Sequence, residues 1–267
     1  MFKNLLLFCL CIYLGSQAYG QRIIQPKLVE LDLKGVVYKK EWSFDFKIHE
    51  QGYAIAYNSA EVLSYKKTKF YQIELGTIKD PRERKQNKSF NINPASGSRP
   101  FIFGKINQFM NVRASLGFKR YLSEKAKRKG LAVGYSYSFG PVVGILKPYY
   151  LNLIYRATEI DATLPEFREE AYSAANAAKF LNFNDINGAA SPWKGYKDAK
   201  IIPGIQGKLA GHFALGAFDK YVKAAEVGIM ADLYIRKVDI MVESEGFSNK
   251  PYFVKLFANF QLGIRKN

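Results

Sequence analysis

Only two imidazoles occur in this chain, His49 and His212. A histidine does general acid–base work when its ring sits within hydrogen-bond reach of a carboxylate or hydroxyl. Glu50 directly follows His49, so an acid and a base are adjacent at one point of the sequence. No spacing ties either ring to a nucleophile. The sequence has no G-x-S-x-G elbow, no phosphate-cradling glycine loop and no paired-histidine zinc signature. His49 is therefore read as a rim residue and His212 as a member of a polar network. No catalytic, cofactor-binding or metal-binding residue is assigned.

A larger set of chemically active residues is spaced by two. In EWSFDFKI, residues 41–48, Trp42, Phe44, Phe46 and Ile48 alternate with Glu41, Ser43, Asp45 and Lys47. The same period puts Glu74 opposite Tyr71, Ile73 and Leu75, and Arg113 opposite Val112, Ala114 and Leu116. It also puts Lys208 opposite Leu209, Glu226 and Asp232 opposite Val227, Ile229 and Leu233, and Lys255 opposite Val254 and Leu256. With Lys105 and Arg236 included, the polar faces carry five acids (Glu41, Asp45, Glu74, Glu226, Asp232) against six bases (Lys47, Lys105, Arg113, Lys208, Arg236, Lys255). A water-filled pore would be lined with one sign. A near-balanced set is what a packed ion-pair network needs, because an unpaired buried charge is costly.

Period-two alternation is the mark of β-strands. Eight such stretches can be counted, several of them reaching the ~9–11 residues that a tilted strand needs to cross a bilayer. Their second face carries charge and glycine, which a soluble sandwich core would reject. The order inverts naturally in a small membrane barrel, with the apolar face toward lipid and the polar face inside. The expected fold is all-β: an eight-stranded, antiparallel, up-and-down transmembrane β-barrel. Ten strands is the alternative, with YYLNLIY (149–155) as an extension or an added hairpin. Connections at 79–100, 147–200 and 243–250, with a tight turn at Gln51-Gly52, fall on one side and are expected to be extracellular. Shorter ones at 59–68, 120–130 and 216–223 fall on the periplasmic side. Within the longest loop, PEFREEAYSAANAAKF predicts a helix opening at Pro165.

Upstream, MFKNLLLFCLCIYLGSQAYG has an early base, a short apolar run and Ala18-Tyr19-Gly20 before Gln21. This predicts a signal peptide of residues 1–20 cleaved on Sec export, then a periplasmic segment 21–34 and a barrel from 35 to 267. Cys9 and Cys11 would leave with the signal, so the mature chain would hold no disulfide. The formal charge of +17 exceeds what the balanced interior can absorb, so the surplus bases belong to the rims. The run KRYLSEKAKRK supplies Lys119, Arg120, Lys125, Lys127, Arg128 and Lys129 as contacts for lipid phosphates or a periplasmic partner. An exported protein rarely meets nucleic acid. The expected partners are outer-membrane lipids (lipopolysaccharide or phospholipid phosphates) and other envelope proteins.

The stretches GYAIAY, SYKKTKFYQIELGTIKDPRE, FGKINQF, GPVVGILKPYYLNLIY and AAEVGIMADLYIRKV together resemble an uncharacterised outer-membrane barrel family of Bacteroidetes-type bacteria. The resemblance runs from about Lys39 to the C-terminus. It implies a barrel in the outer membrane of a Gram-negative cell and carries no activity or site residues. The functional expectation is a non-enzymatic envelope barrel with a plugged interior, structural or accessory to a secretion, assembly or lipid-handling complex. The alternative is an enzyme that modifies lipid A or phospholipid.

Overall fold

The computed structural model describes residues 38–64, 66–88, 99–122, 131–155, 166–215 and 220–267. Eight long strands form the barrel: β1 (Lys40–His49), β2 (Gly52–Ser64), β3 (Lys67–Ile78), β6 (Asn107–Tyr121), β7 (Leu131–Pro148), β11 (Lys200–Leu215), β12 (Tyr221–Tyr234) and β13 (Tyr252–Lys266). Each pairs antiparallel with its neighbour in the chain order of these eight, and β1 closes on β13. The up-and-down, eight-stranded expectation holds. YYLNLIY adds no barrel strand. Its β8 (Tyr150–Tyr155) is the centre of a small separate sheet between β10 (Ile186–Ala189) and β9 (Glu166–Ala171). A two-residue pair, β4 (Lys85–Gln86) with β5 (Phe101–Ile102), completes the strands described.

Alternation dictates which face each residue takes. On β1, Glu41, Ser43, Asp45 and Lys47 are buried, while Phe44 is 57% exposed and Phe46 and Ile48 are 48% exposed. Ile73, Leu75, Leu209, Val227, Ile229, Leu256 and Leu262 likewise stand exposed on other strands. A soluble protein would hide such side chains. Here they form a continuous apolar outer surface around a polar interior, the arrangement of a membrane barrel. Strands of 10 to 18 residues are long enough to cross a bilayer when tilted. No helix among the described residues is long and apolar enough to do so.

At one end, the loop end, lie the β1–β2 turn and the three long connections. At the other, the terminal end, lie the first residue of β1 and the last of β13. The β1–β2 turn requires Gly52: φ is +153°, and a Cβ there would meet the Thr77 carbonyl oxygen at 2.3 Å. The loop-end mouth is sealed by apolar side chains. Ile78, Phe109, Val142, Leu146, Ile202 and Tyr234 point inward from the strand ends, and Val238, Ile240 and Met241 fold down onto them. This lid is tied in place by Ile106 and Asn107 donating to the Ile240 carbonyl at 2.9 and 3.2 Å.

Two local expectations are corrected. The β2–β3 connection expected at 59–68 shrinks to two residues, because β2 runs on to Ser64 and β3 starts at Lys67. The helix expected from Pro165 is reduced to α1 (Ala177–Phe180). Residues 166–171 are a strand instead, since β8 offers them a full antiparallel partner and Tyr155 donates to Glu170 at 3.0 Å. Tertiary pairing here overrides a helical propensity of a few tenths of a kcal/mol per residue. The expected signal peptide 1–20, the segment 21–34 and Lys125, Lys127, Arg128 and Lys129 lie outside the described residues.

Candidate functional site in the barrel lumen

Inward parity on β1, β3, β6, β11, β12 and β13 brings the charged residues together in two layers. Glu74, fully buried on β3, sits at the centre of the layer nearer the loop end. Its Oε2 accepts from Lys47 at 2.5 Å and Lys208 at 2.6 Å, and its Oε1 accepts from Arg113 Nη1 at 2.5 Å. Arg113 turns its other edge to Asp232, with Nε–Oδ1 at 2.9 Å and Nη2–Oδ2 at 2.6 Å. Lys255 adds a second donor to Asp232 Oδ2 at 2.7 Å. Four bases surround two acids.

The layer nearer the terminal end is poorer in bases. Glu41 accepts from Arg265 at 2.8 Å and lies 3.5 Å from Lys119. Lys119 donates to Gln261 at 2.8 Å, and Gln261 to Ser43 at 2.7 Å. His212 Nδ1 is 2.9 Å from Glu226, and its Nε2 is 3.3 Å from the Tyr121 hydroxyl. Asn259 bridges two acids with one amide nitrogen, 3.0 Å from Glu226 and 2.8 Å from Asp45. Gln72 joins the layers, donating to Asp45 at 3.2 Å and accepting from Lys208 at 2.6 Å. Direct hydrogen bonds therefore run unbroken from Tyr121 near the terminal end to Lys255 below the lid. Asp45 is the one lumen acid with no basic nitrogen of Lys, Arg or His within 4 Å among the described residues; amides alone satisfy its Oδ2.

Of the residues expected in this network, Glu41, Asp45, Lys47, Glu74, Arg113, Lys208, Glu226, Asp232 and Lys255 are all buried in the lumen. Lys105 and Arg236 are not. Lys105 lies past the turn at Gly104 (φ +70°) and before β6, so strand parity does not reach it; it pairs with Glu83 above the rim at 2.5 Å. Arg236 lies beyond the end of β12, exposed, where it donates to the Ile201 carbonyl at 3.4 Å. Their places are taken by Lys119 and Arg265. Lys119 was expected at the rim, but β6 runs through to Tyr121 and carries the inward parity of Arg113 and Ser115 as far as Lys119, which is 2% exposed. Arg265 follows Asn259 and Gln261 by the same period on β13. Five acids still face six bases. Arg120 is exposed at the terminal rim.

Packing leaves little room. Between the layers, a space of about 10 Å³ lined by Asp45, Lys119, Lys208, Ser136 and Glu226 is barely enough for one water molecule. At the loop-end rim, Phe46, Ile48, Tyr53, His49, Glu50 and Lys79 line an open groove of about 870 Å³. Above it, Asp80 accepts from Arg82 at 2.9 and 3.0 Å. Burial opposes ionisation of Asp80, but the Arg82 hydrogen bonds and charge outweigh it and hold the carboxyl below its ordinary range. No cluster of metal-ligating side chains occurs among the described residues.

No protein-family model matches this sequence, and no curated protein matches it. Two solved structures align with it. One is a major outer membrane protein from Thermus thermophilus, at 9% identity and TM-score 0.34, covering 83% of this chain and 99% of that one. The other is the translocator domain of the autotransporter NalP from Neisseria meningitidis, at 11% identity and TM-score 0.20, covering 85% and 87%.

Proposed function

We propose that this chain is a non-conducting barrel of a Gram-negative outer membrane, exported by Sec through residues 1–20, and that it serves as a structural or accessory subunit of an envelope complex. The observation that carries this reading is the lumen. Eleven charged side chains and their amide bridges fill it from the terminal end to the lid, and eight strands enclose little more than such side chains need. A protein built to pass solutes would leave a path; this interior is committed to rigidity. What remains for interaction is the outside: the lipid-facing belt, the basic rim at Arg120, and the loop-end sheet of β8, β9 and β10. Lipid phosphates are the natural partners of the rim, and another envelope protein is the natural partner of the sheet. The Bacteroidetes-type family resemblance is in keeping with this role.

Planar-bilayer recording of the refolded barrel should show no stable conductance steps. Mild-detergent purification from the native membrane should bring down at least one envelope protein. Large ion-selective steps, or a barrel that purifies alone after crosslinking, would count against this role.

One observation favours a second reading, a lipid-modifying enzyme. Glu226, His212 and Tyr121 form a carboxylate–imidazole–hydroxyl line at the terminal end of the lumen. The lipid A and phospholipid mass profiles of cells with and without the gene separate the two readings: unchanged masses favour the accessory barrel, and a shift lost in His212→Ala favours the enzyme.

A further inference from the structure

Across a sheet, like charges placed directly opposite each other are destabilising. Among the barrel pairings described, only two set base against base: Lys40 opposite Lys266 on β1 and β13, and Lys67 opposite Arg120 on β3 and β6. Both lie at the terminal rim, and in both the side chains point outward and are exposed, since Glu41, Arg265, Thr68 and Lys119 beside them are the buried ones. None of the four bases forms an ion pair among the described residues. Glu61 faces Lys40 from β2 without engaging it. Lys266 Nζ stands 5.4 Å from the centre of the Trp42 ring and Lys67 Nζ 5.0 Å from that of Phe118, which keeps each ammonium at the edge of the apolar belt.

We infer that each base pair is a seat for the phosphate of an anionic glycerophospholipid in the membrane leaflet at the terminal end. This rests on reading the chain as a membrane barrel. A phosphate between two opposed bases converts their repulsion into two charge-assisted contacts. The neighbouring apolar belt receives the acyl chains. The first seat lies on the seam where the chain's first and last strands close the barrel, so a bound phosphate there also holds the closure.

The test compares wild type with Lys40→Gln/Lys266→Gln and Lys67→Gln/Arg120→Gln, each folded in a neutral maltoside detergent. Phosphatidylglycerol is titrated in, with bound lipid counted by native mass spectrometry and stability read as Tm. Without lipid, both variants should melt at or above the wild-type temperature, because repulsion has been removed. With phosphatidylglycerol, wild type should gain Tm and each variant should lose most of that gain, with retention at the altered seat weaker by roughly tenfold. Inorganic phosphate at matched concentration should give wild type no such gain. The inference is overturned if the variants retain phosphatidylglycerol as wild type does, or if inorganic phosphate stabilises equally well. Should a double variant not fold, the single changes Lys266→Gln and Arg120→Gln give the same comparison. Failure of the wild type to give a heat-modifiable gel band would instead remove the barrel reading itself.

Discussion

Arg113 on β6 and Asp232 on β12 meet edge to edge across the lumen, with both hydrogen bonds closed and both side chains fully buried. Neither strand neighbours the other in the barrel, so this pair ties opposite walls together. Removing one partner leaves the other charged and dry, which typically costs about 3–5 kcal/mol. Asp232→Ala, which takes the carboxylate from Lys255 and leaves Arg113 with Glu74 alone, should therefore lower the urea midpoint in detergent markedly. Replacing Arg113 and Asp232 together by Met and Leu should recover much of the loss. A double variant destabilised by the sum of the two single changes would show that the pair is not coupled.

The alternation that made the barrel legible in the sequence also placed most of this network, because period two is a local property and survives wherever the strand continues. It fails at strand ends, where parity continues past the strand or the strand outlasts its apolar pattern. Lys105 and Arg236 carry the right parity but sit beyond strand ends. Lys119 and Arg265 lie inside strands that run further than their apolar pattern, since Arg120 and Lys266 replace the expected lipid-facing apolar residue at the rim. Gln72 and Asn259 share the polar-face parity of Glu74 and Lys255, yet which acids they join depends on register between strands far apart in the chain. The lid at Val238, Ile240 and Met241 had an alternating signal too short to separate from a loop. The strand at 166–171 gave no alternation and needed β8 to form.

The outward belt makes a sharper prediction than the lumen. Ile229 lies midway along β12, 51% exposed on the lipid face. Ile229→Arg should destabilise the bilayer-folded barrel by about 2–4 kcal/mol, the usual cost of a base near the midplane. The same change should matter far less in detergent micelles, which deform around the guanidinium. Unfolding titrations in the two media check the difference. Equal, small effects in both would place Ile229 outside the hydrocarbon.

Above the loop-end rim, Arg82 links Asp80 to the lid, donating also to the Val242 carbonyl at 3.1 Å. The Asp80 carboxyl is held below its ordinary range, so its contribution is complete above the unfolded value of about 3.9 and fades as pH falls through the lower folded value. Neutral and mildly acidic solutions should leave the lid tether intact. Amide hydrogen exchange around Val242, corrected for the intrinsic pH effect, should rise only in stronger acid, and Asp80→Asn should abolish that pH-dependent step. A step centred near neutrality would assign the tether to another group.

The lumen is closed three times in series, by the apolar lid and by two charged layers, so opening one closure should not open the path. Beneath the apolar lid of Phe109, Tyr234 and Ile240 lies the ion-pair layer of Glu74, Arg113 and Asp232, and either layer alone obstructs the path. Phe109→Ala with Ile240→Ala creates cavities and should cost about 2–5 kcal/mol for each buried side chain, yet the barrel should stay silent in planar bilayers because the ion pairs remain. Thinning the lower layer alone, with Arg113→Ala and Asp232→Ala together, should also give no steps, since the lid still seals the mouth. The combined variant should also give no stable steps, because Glu41, Lys119, Arg265 and their amide bridges still fill the terminal end of so narrow an interior. Heat-modifiable gel mobility must be retained in each case, so that a leak is not mistaken for unfolding. Conductance from the lid variant alone would mean that the charged layer moves aside readily, and the rigidity argued for the lumen would fall with it.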